Sequence, residues 1–124
     1  MVILDVPKLF RSFKYAIRGL YHLWKREQNA RIHTFAAALL GFAAYGFHLS
    51  RLEAAILFFA VVLVFAVEII NTAIEKLLDI VHPHSHSQIA FIKDALAGAV
   101  LISATIALVV AVLVFYPHVV SILK

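Results

Sequence analysis

Polar and apolar positions divide the chain into four stretches. Over residues 5–28, Phe10, Phe13, Ala16, Ile17, Leu20, Leu23 and Trp24 fall in one arc of a helical wheel. Lys8, Arg11, Lys14, Arg18, Lys25 and Arg26 fall in the complementary arc. This pattern predicts an amphipathic helix lying in a membrane surface, its basic face toward headgroups and water. Glu27 breaks the pattern by projecting to the apolar side. Either the helix frays before residue 27, or the carboxylate meets a cation, a metal or a protein donor.

Three longer apolar stretches follow. The first, at 32–48, is marginal in length for a span and carries Gly41 and Gly46. Arg51 and Glu53 mark a polar break. The second, at 53–81, is uninterrupted from Ala54 to Val67 and then turns polar on one side. Pro83, with His82, His84, Ser85, His86 and Ser87 around it, predicts a loop. The third, at 94–116, has no charge from Ala95 to Tyr116 and ends before Pro117. It is long enough for a hydrocarbon core of roughly 30 Å. Small residues at four-residue spacing, Ala95, Ala99 and Ser103, read as close helix packing in lipid.

Composition agrees. Of 124 residues, 64% are hydrophobic and 15% charged, and mean hydropathy is +0.97. Soluble domains are nearer 45–50% apolar and about 25% charged, so an ordinary soluble domain is excluded. With no cysteine, thiolate chemistry and a disulfide scaffold are excluded as well. The expected fold is an all-α integral membrane protein, one domain over 1–124, with a surface helix and three transmembrane helices. Residues 1–31 hold seven basic side chains against two acidic ones, a balance of +5, and the remainder holds four against five, a balance of −1. The positive-inside rule accounts for that cluster without nucleic acid, and it places the N-terminus in the cytoplasm.

The second span carries the chemistry. Glu68, Asn71, Glu75 and Asp79 sit at i, i+3, i+7 and i+11, within an arc of roughly 80° on a helix. From Ala54, Glu68 lies about 21 Å along the axis, near the cytoplasmic edge of the hydrocarbon; Glu75 is about 10 Å and Asp79 about 16 Å beyond it. Lys93 and Asp94 open the third span at the same interface. With Glu27, these groups are expected to converge where three helices leave the membrane. Paired carboxylates near a lysine suit Mg²⁺-bound phosphate, and a glutamate at the bilayer edge suits a general base. Phosphoryl transfer from MgATP to a lipid alcohol uses both. A proton- or ion-coupled carrier would use a stripe of acids too, although the interiors of the first and third spans hold none. In a purely structural subunit the stripe would be idle.

Walker, dinucleotide-binding and protein-kinase motifs are missing from the sequence. The alternate histidines His82, His84 and His86 lack a cysteine to complete a zinc site. Loop polarity or a nucleotide contact is the better reading of them.

Three segments carry a resemblance. FKYAIRGLYHLWKREQNARIH at 13–33, EIINTAIEKLLD at 68–79 and KDALAGAVL at 93–101 are similar to the prokaryotic diacylglycerol kinase family, which includes undecaprenol kinases. They occur in family order and spacing, and the similarity covers nearly the whole chain. The resemblance implies a homotrimer in the bacterial inner membrane, with active sites shared between subunits, ATP as donor and Mg²⁺ as cofactor. It implies Glu68 as general base and Glu27 and Glu75 as metal ligands. Nucleotide contacts are implied for Lys8, Tyr15, Glu27, Asn71, Glu75, Asp79, His84, Ser85, His86, Lys93 and Asp94. Arg18, Gly19, Trp24, Glu68 and Ala97 would lie along the lipid substrate. Lys8 stands where some relatives have arginine, so a bidentate phosphate contact is not expected there. The REQNARIH stretch resembles the undecaprenol kinase branch, with diacylglycerol as the alternative substrate.

Overall fold

The computed structural model describes residues 5–84 and 86–124; Ser85, expected at the nucleotide, lies outside them. Four helices follow one another: α1 (Val6–Arg26), α2 (Gln28–Gly46), α3 (Arg51–Val81) and α4 (Ser87–Ile122). Three of the four starts have a side-chain cap. The Asp5 side chain accepts from the Lys8 N–H at 3.0 Å, with Pro7 in the first turn of α1. Ser50 and Glu53 form a reciprocal capping box at the start of α3. His86 Nδ1 accepts from the Gln88 N–H at the start of α4.

The ends of α1 and α4 differ from expectation. Helix α1 stops at Arg26, where Glu27 is extended and serves as the junction to α2. Of the two alternatives left open for Glu27, an early end of the helix is realised, as a sharp elbow. Arg31 of α2 stabilises it by donating to the Trp24 and Lys25 carbonyls. Helix α4 was expected to end before Pro117 but continues through it to Ile122. The next residue explains this: His118 Nε2 lies 3.0 Å from Glu53 Oε1, so the last turn is held to the start of α3. That tertiary contact offsets the backbone hydrogen bond that proline removes.

Helices α3 and α4 form the principal packed pair, clasped at one end by Glu53 and His118 and at the other by Asp79 and Lys93. The seam between and beside them is built from small or slender side chains. Ala60 and Val64 of α3 and Val100, Ser103 and Ala111 of α4 are buried. Ser103 belongs to the expected small-residue stripe, but Ala95 and Ala99 are exposed. The packing face of α4 is turned from that stripe.

Helices α3 and α4 are long and apolar enough to cross a membrane. Helix α2 is not among the candidate spans, because its first turns carry Gln28, Asn29, Arg31 and His33. The chain exposes 9830 Å², whereas a compact soluble monomer of this mass exposes about 6,600 Å². Phe42, Phe59, Ile80 and Leu113 are each more than two-thirds exposed. Lipid or another protein surface must cover such area.

The turn between α2 and α3 closes with His48 in the left-handed region at φ 53. The Leu49 and His48 amides donate back to the Ala44 and Tyr45 carbonyls, an arrangement usually completed by glycine. A histidine pays about 1–2 kcal/mol for that conformation. His48→Gly is expected to stabilise the protein by about 1 kcal/mol, read as a higher unfolding midpoint in detergent. An unchanged or lower midpoint would show that the histidine ring's stacking on Tyr45 compensates the strain.

Candidate active site

Helix periodicity places Glu68, Asn71, Thr72 and Glu75 on the face of α3 turned toward α4 and the start of α2. They line a cavity of ≈ 310 Å³. Glu27 and Asn29 enter from the α1–α2 elbow, His33 from α2, and Ala97 and Val100 from α4. Three carboxylates expected on separate grounds, Glu27, Glu68 and Glu75, thus share one chamber.

Burial separates their roles. Glu68 is 1% exposed and Asn71 6%, while Glu75 is half-buried. Glu68 Oε2 and Asn71 Oδ1 are buried without a hydrogen-bond partner. A buried acceptor left unpaired costs about 1–3 kcal/mol, more when charged. The chamber therefore favours a ligand that brings a donor to these two oxygens, and a hydroxyl is the smallest such group. Glu27 carries a different load. Its Oε1 pairs with Lys76 Nζ at 3.1 Å, and the lysine itself is largely exposed. The cation that was one alternative for Glu27 is Lys76.

A second cavity, reached one turn further along α3, is lined by Asp79, His82, His84, His86 and Lys93 among others. Here Lys93 Nζ donates to Asp79 Oδ1 at 2.5 Å. Asp79 stands past the apolar run, where α3 has extended beyond the length of a hydrocarbon core. The hydrogen bond from Lys93 holds its carboxyl below the ordinary aspartate value of 3.8. A carboxylate lowered on folding contributes stability above its unfolded pKa and loses it as pH falls, so this clasp weakens in acid.

Not every expected residue converges. Lys93 faces Asp79 rather than Glu27 and Glu75, because the short loop after α3 brings the first turns of α4 against the last turn of α3. Asp94 is exposed. Lys8, Tyr15 and Arg18 lie on the exposed surface of α1. Gly19 lines an apolar cleft between α1 and α3, and Trp24 a neighbouring one. Asn29, His33 and Thr72 line the chamber although the sequence did not single them out. For His33 a signal existed: it is a ring that can carry charge at the mouth of an otherwise apolar stretch.

Among the described residues, no group of three or more His, Cys, Asp or Glu side chains is arranged to hold a metal by itself. The acidic donors offered by Glu27 and Glu75 fit Mg²⁺ nonetheless. That ion prefers oxygen and is held by one or two carboxylates together with substrate phosphates. Hard oxygen donors beside a buried, unpaired carboxylate suit transfer of a phosphoryl group to an alcohol.

Comparisons with known proteins agree. A family model described as prokaryotic diacylglycerol kinase matches residues 14–115. A diacylglycerol kinase of Synechocystis sp. is 36% identical over 118 residues, covering 94% of this chain and 67% of that protein. An undecaprenol kinase of Bacillus subtilis is 33% identical over 113 residues, covering 91% and 92%. A diacylglycerol kinase of Escherichia coli K12 is 27% identical over 111 residues, covering 90% and 91%.

Proposed function

The chain belongs to the prokaryotic diacylglycerol kinase family and is a lipid kinase, and from that premise we propose that it phosphorylates undecaprenol with MgATP. The observation that carries the reading is Glu68, 1% exposed, with an unpaired oxygen in the chamber that Glu27 and Glu75 also line. The tail of the alcohol stays in the bilayer while its hydroxyl donates to Glu68. As the hydroxyl oxygen bonds to the γ-phosphorus, Glu68 takes its proton. The bond from that phosphorus to the β,γ-bridging oxygen breaks, and ADP leaves. Asn71 fixes the hydroxyl or a phosphate oxygen beside Glu68. Glu27 and Glu75 would hold Mg²⁺, which would supply positive charge to the transferred phosphoryl group. Most of the acceleration comes from alignment and charge neutralisation rather than covalent chemistry.

ATP enters from the cytosol. Asp79, His84, His86, Lys93 and Asp94 form the nucleotide side, with Lys8 and Tyr15 supplied from α1. Arg18, Gly19, Trp24 and Ala97 belong to the lipid side. The assembly is a homotrimer with shared sites, consistent with the exposed α1 residues finding their ligands across a subunit boundary. Helix α2 is the third membrane span, in a bacterial inner membrane with the N-terminus cytoplasmic. Diacylglycerol is the second reading, favoured by the 36% identity to a diacylglycerol kinase. Initial rates with undecaprenol and diacylglycerol, measured side by side in one detergent, decide between them. A higher kcat/KM for undecaprenol is expected, and the reverse order transfers the assignment to diacylglycerol.

Lys76 supplies a further test. Its ammonium holds the Glu27 carboxylate that the ion must take. Lys76→Met keeps a stem of similar length without the terminal ammonium and removes the competitor. The Mg²⁺ concentration for half-maximal rate should fall about two- to fivefold, the worth of an exposed ion pair. An unchanged requirement would place the ion away from Glu27.

A further inference from the structure

We propose that Asn29 and His33 are positioning residues for the general base, holding the Glu68 carboxylate from α2 so that Oε2 stays free for the hydroxyl of the substrate. The proposal rests on the lipid-kinase reading with Glu68 as base. Both side chains line the Glu68 chamber. They stand four residues apart on α2, one above the other on a single face of that helix. Phe65 and Glu68 stand three residues apart on α3 and are neighbours on its surface. The His33 ring meets Phe65 edge-on, with 6.4 Å between centroids. That contact sets the imidazole beside the turn that carries Glu68. Asn29, exposed at the rim of the chamber, stands within reach of the same carboxylate.

The start of α2 is anchored where these two groups project. Ala30, next to Asn29, is 1% exposed and lines a cleft with Phe65 and Ile69 of α3. Thr34 Oγ1 donates to the Ala30 carbonyl at 2.7 Å. Arg31 ties the same turn to the end of α1. An anchored turn suits the task, because a general base must meet the proton along a defined line. A glutamate reaches its carboxylate through several rotatable bonds, and among the described residues Glu68 has no salt bridge to fix them. Asn71 and Thr72 share a helix with Glu68. Asn29 and His33 approach from a second helix and constrain its torsions against a separate anchor. Donors on α2 can take one carboxylate oxygen and leave the other to the substrate. Glu68 Oε2, buried and without a partner, is the oxygen left free.

The test is a pair of double-mutant cycles on the full chain in detergent, with whichever of undecaprenol and diacylglycerol the wild type phosphorylates faster. Asn29→Ala and His33→Ala should each lower kcat about ten- to hundredfold, the scale of a misplaced catalytic group, with KM for ATP within about twofold of wild type. His33→Gln keeps a side-chain N–H donor and should recover most of the loss. In a Glu68→Gln background, followed with radiolabelled ATP, the same alanine substitutions should change the residual rate by less than about twofold, because a positioning residue has no effect once its base is gone. Unfolding midpoints identify the folded variants. Where an alanine variant fails to fold, Asn29→Leu or His33→Leu keeps the bulk, and the same losses are expected. Near-normal kcat in the folded single variants overturns the proposal. Losses that persist undiminished in the Glu68→Gln background overturn it, since the two side chains would then act independently of Glu68. A raised KM for the lipid at unchanged kcat overturns it by placing them on the lipid, and a His33→Gln variant as slow as His33→Ala removes the hydrogen-bonding role of that ring. A wild type that phosphorylates neither alcohol overturns the kinase reading, and near-normal turnover in Glu68→Gln alone overturns the base. A slow Glu68→Gln with additive cycles overturns the positioning role alone.

Discussion

Glu68→Gln is expected to lower turnover by about 10²- to 10⁴-fold, the contribution of a positioned general base, while MgATP still binds. The substitution keeps the shape of a side chain that is 1% exposed, so packing around it is retained. It removes the acceptor that takes the hydroxyl proton and replaces one carboxylate oxygen with a donor. The nucleotide side of the site is built from other residues, and its affinity should change little. Steady-state rates at saturating ATP, paired with nucleotide titration by calorimetry, separate the two effects. A variant with near-normal turnover would remove Glu68 from the chemistry. A variant that lost both rate and nucleotide affinity would place Glu68 at the phosphates instead.

The second large effect concerns the ion. Glu75→Gln should raise the Mg²⁺ concentration for half-maximal rate by at least the ~10- to 100-fold seen when outer-shell partners of metal ligands are removed. Glu75 is half-buried in the chamber, where Glu27 is paired with Lys76 and, among the described residues, Glu68 has no salt bridge. Loss of the Glu75 charge leaves Glu27 to hold the ion alone while still paired to that lysine. Glu27→Gln should act in the same direction and free Lys76. The measurement is the Mg²⁺ dependence of rate at fixed free ATP, with Mn²⁺ binding followed by paramagnetic resonance as a readout independent of turnover. Unchanged dependence in both variants would move the metal elsewhere.

The face of α3 was legible because helical periodicity is a local property. Glu68, Asn71 and Glu75 share a stripe in the sequence and a chamber in the fold. Pro83 and its neighbours marked the loop that the structure places between α3 and α4. What was not legible depends on contacts distant in the chain. The passage of α4 through Pro117 depends on His118 meeting Glu53, 65 residues away. The pairing of Lys93 with Asp79 instead of the chamber depends on how α4 turns after the loop. The closure of α1 at Arg26 depends partly on Arg31 reaching back to carbonyls of the preceding helix. His33 was passed over because one histidine at the start of a marginal apolar stretch has no periodicity to mark it.

The central claim is that the reacting end of the lipid meets Glu68. A prenyl chain ending in an epoxide in place of the alcohol tests it directly, because a carboxylate that touches the epoxide opens it and forms an ester. Peptide mass spectrometry then reads which residue carries the prenyl group. The account predicts the ester on Glu68, formed in step with loss of activity and suppressed by undecaprenol. An ester on Glu75 or Asp79, with Glu68 unmodified in inactivated protein, would contradict it.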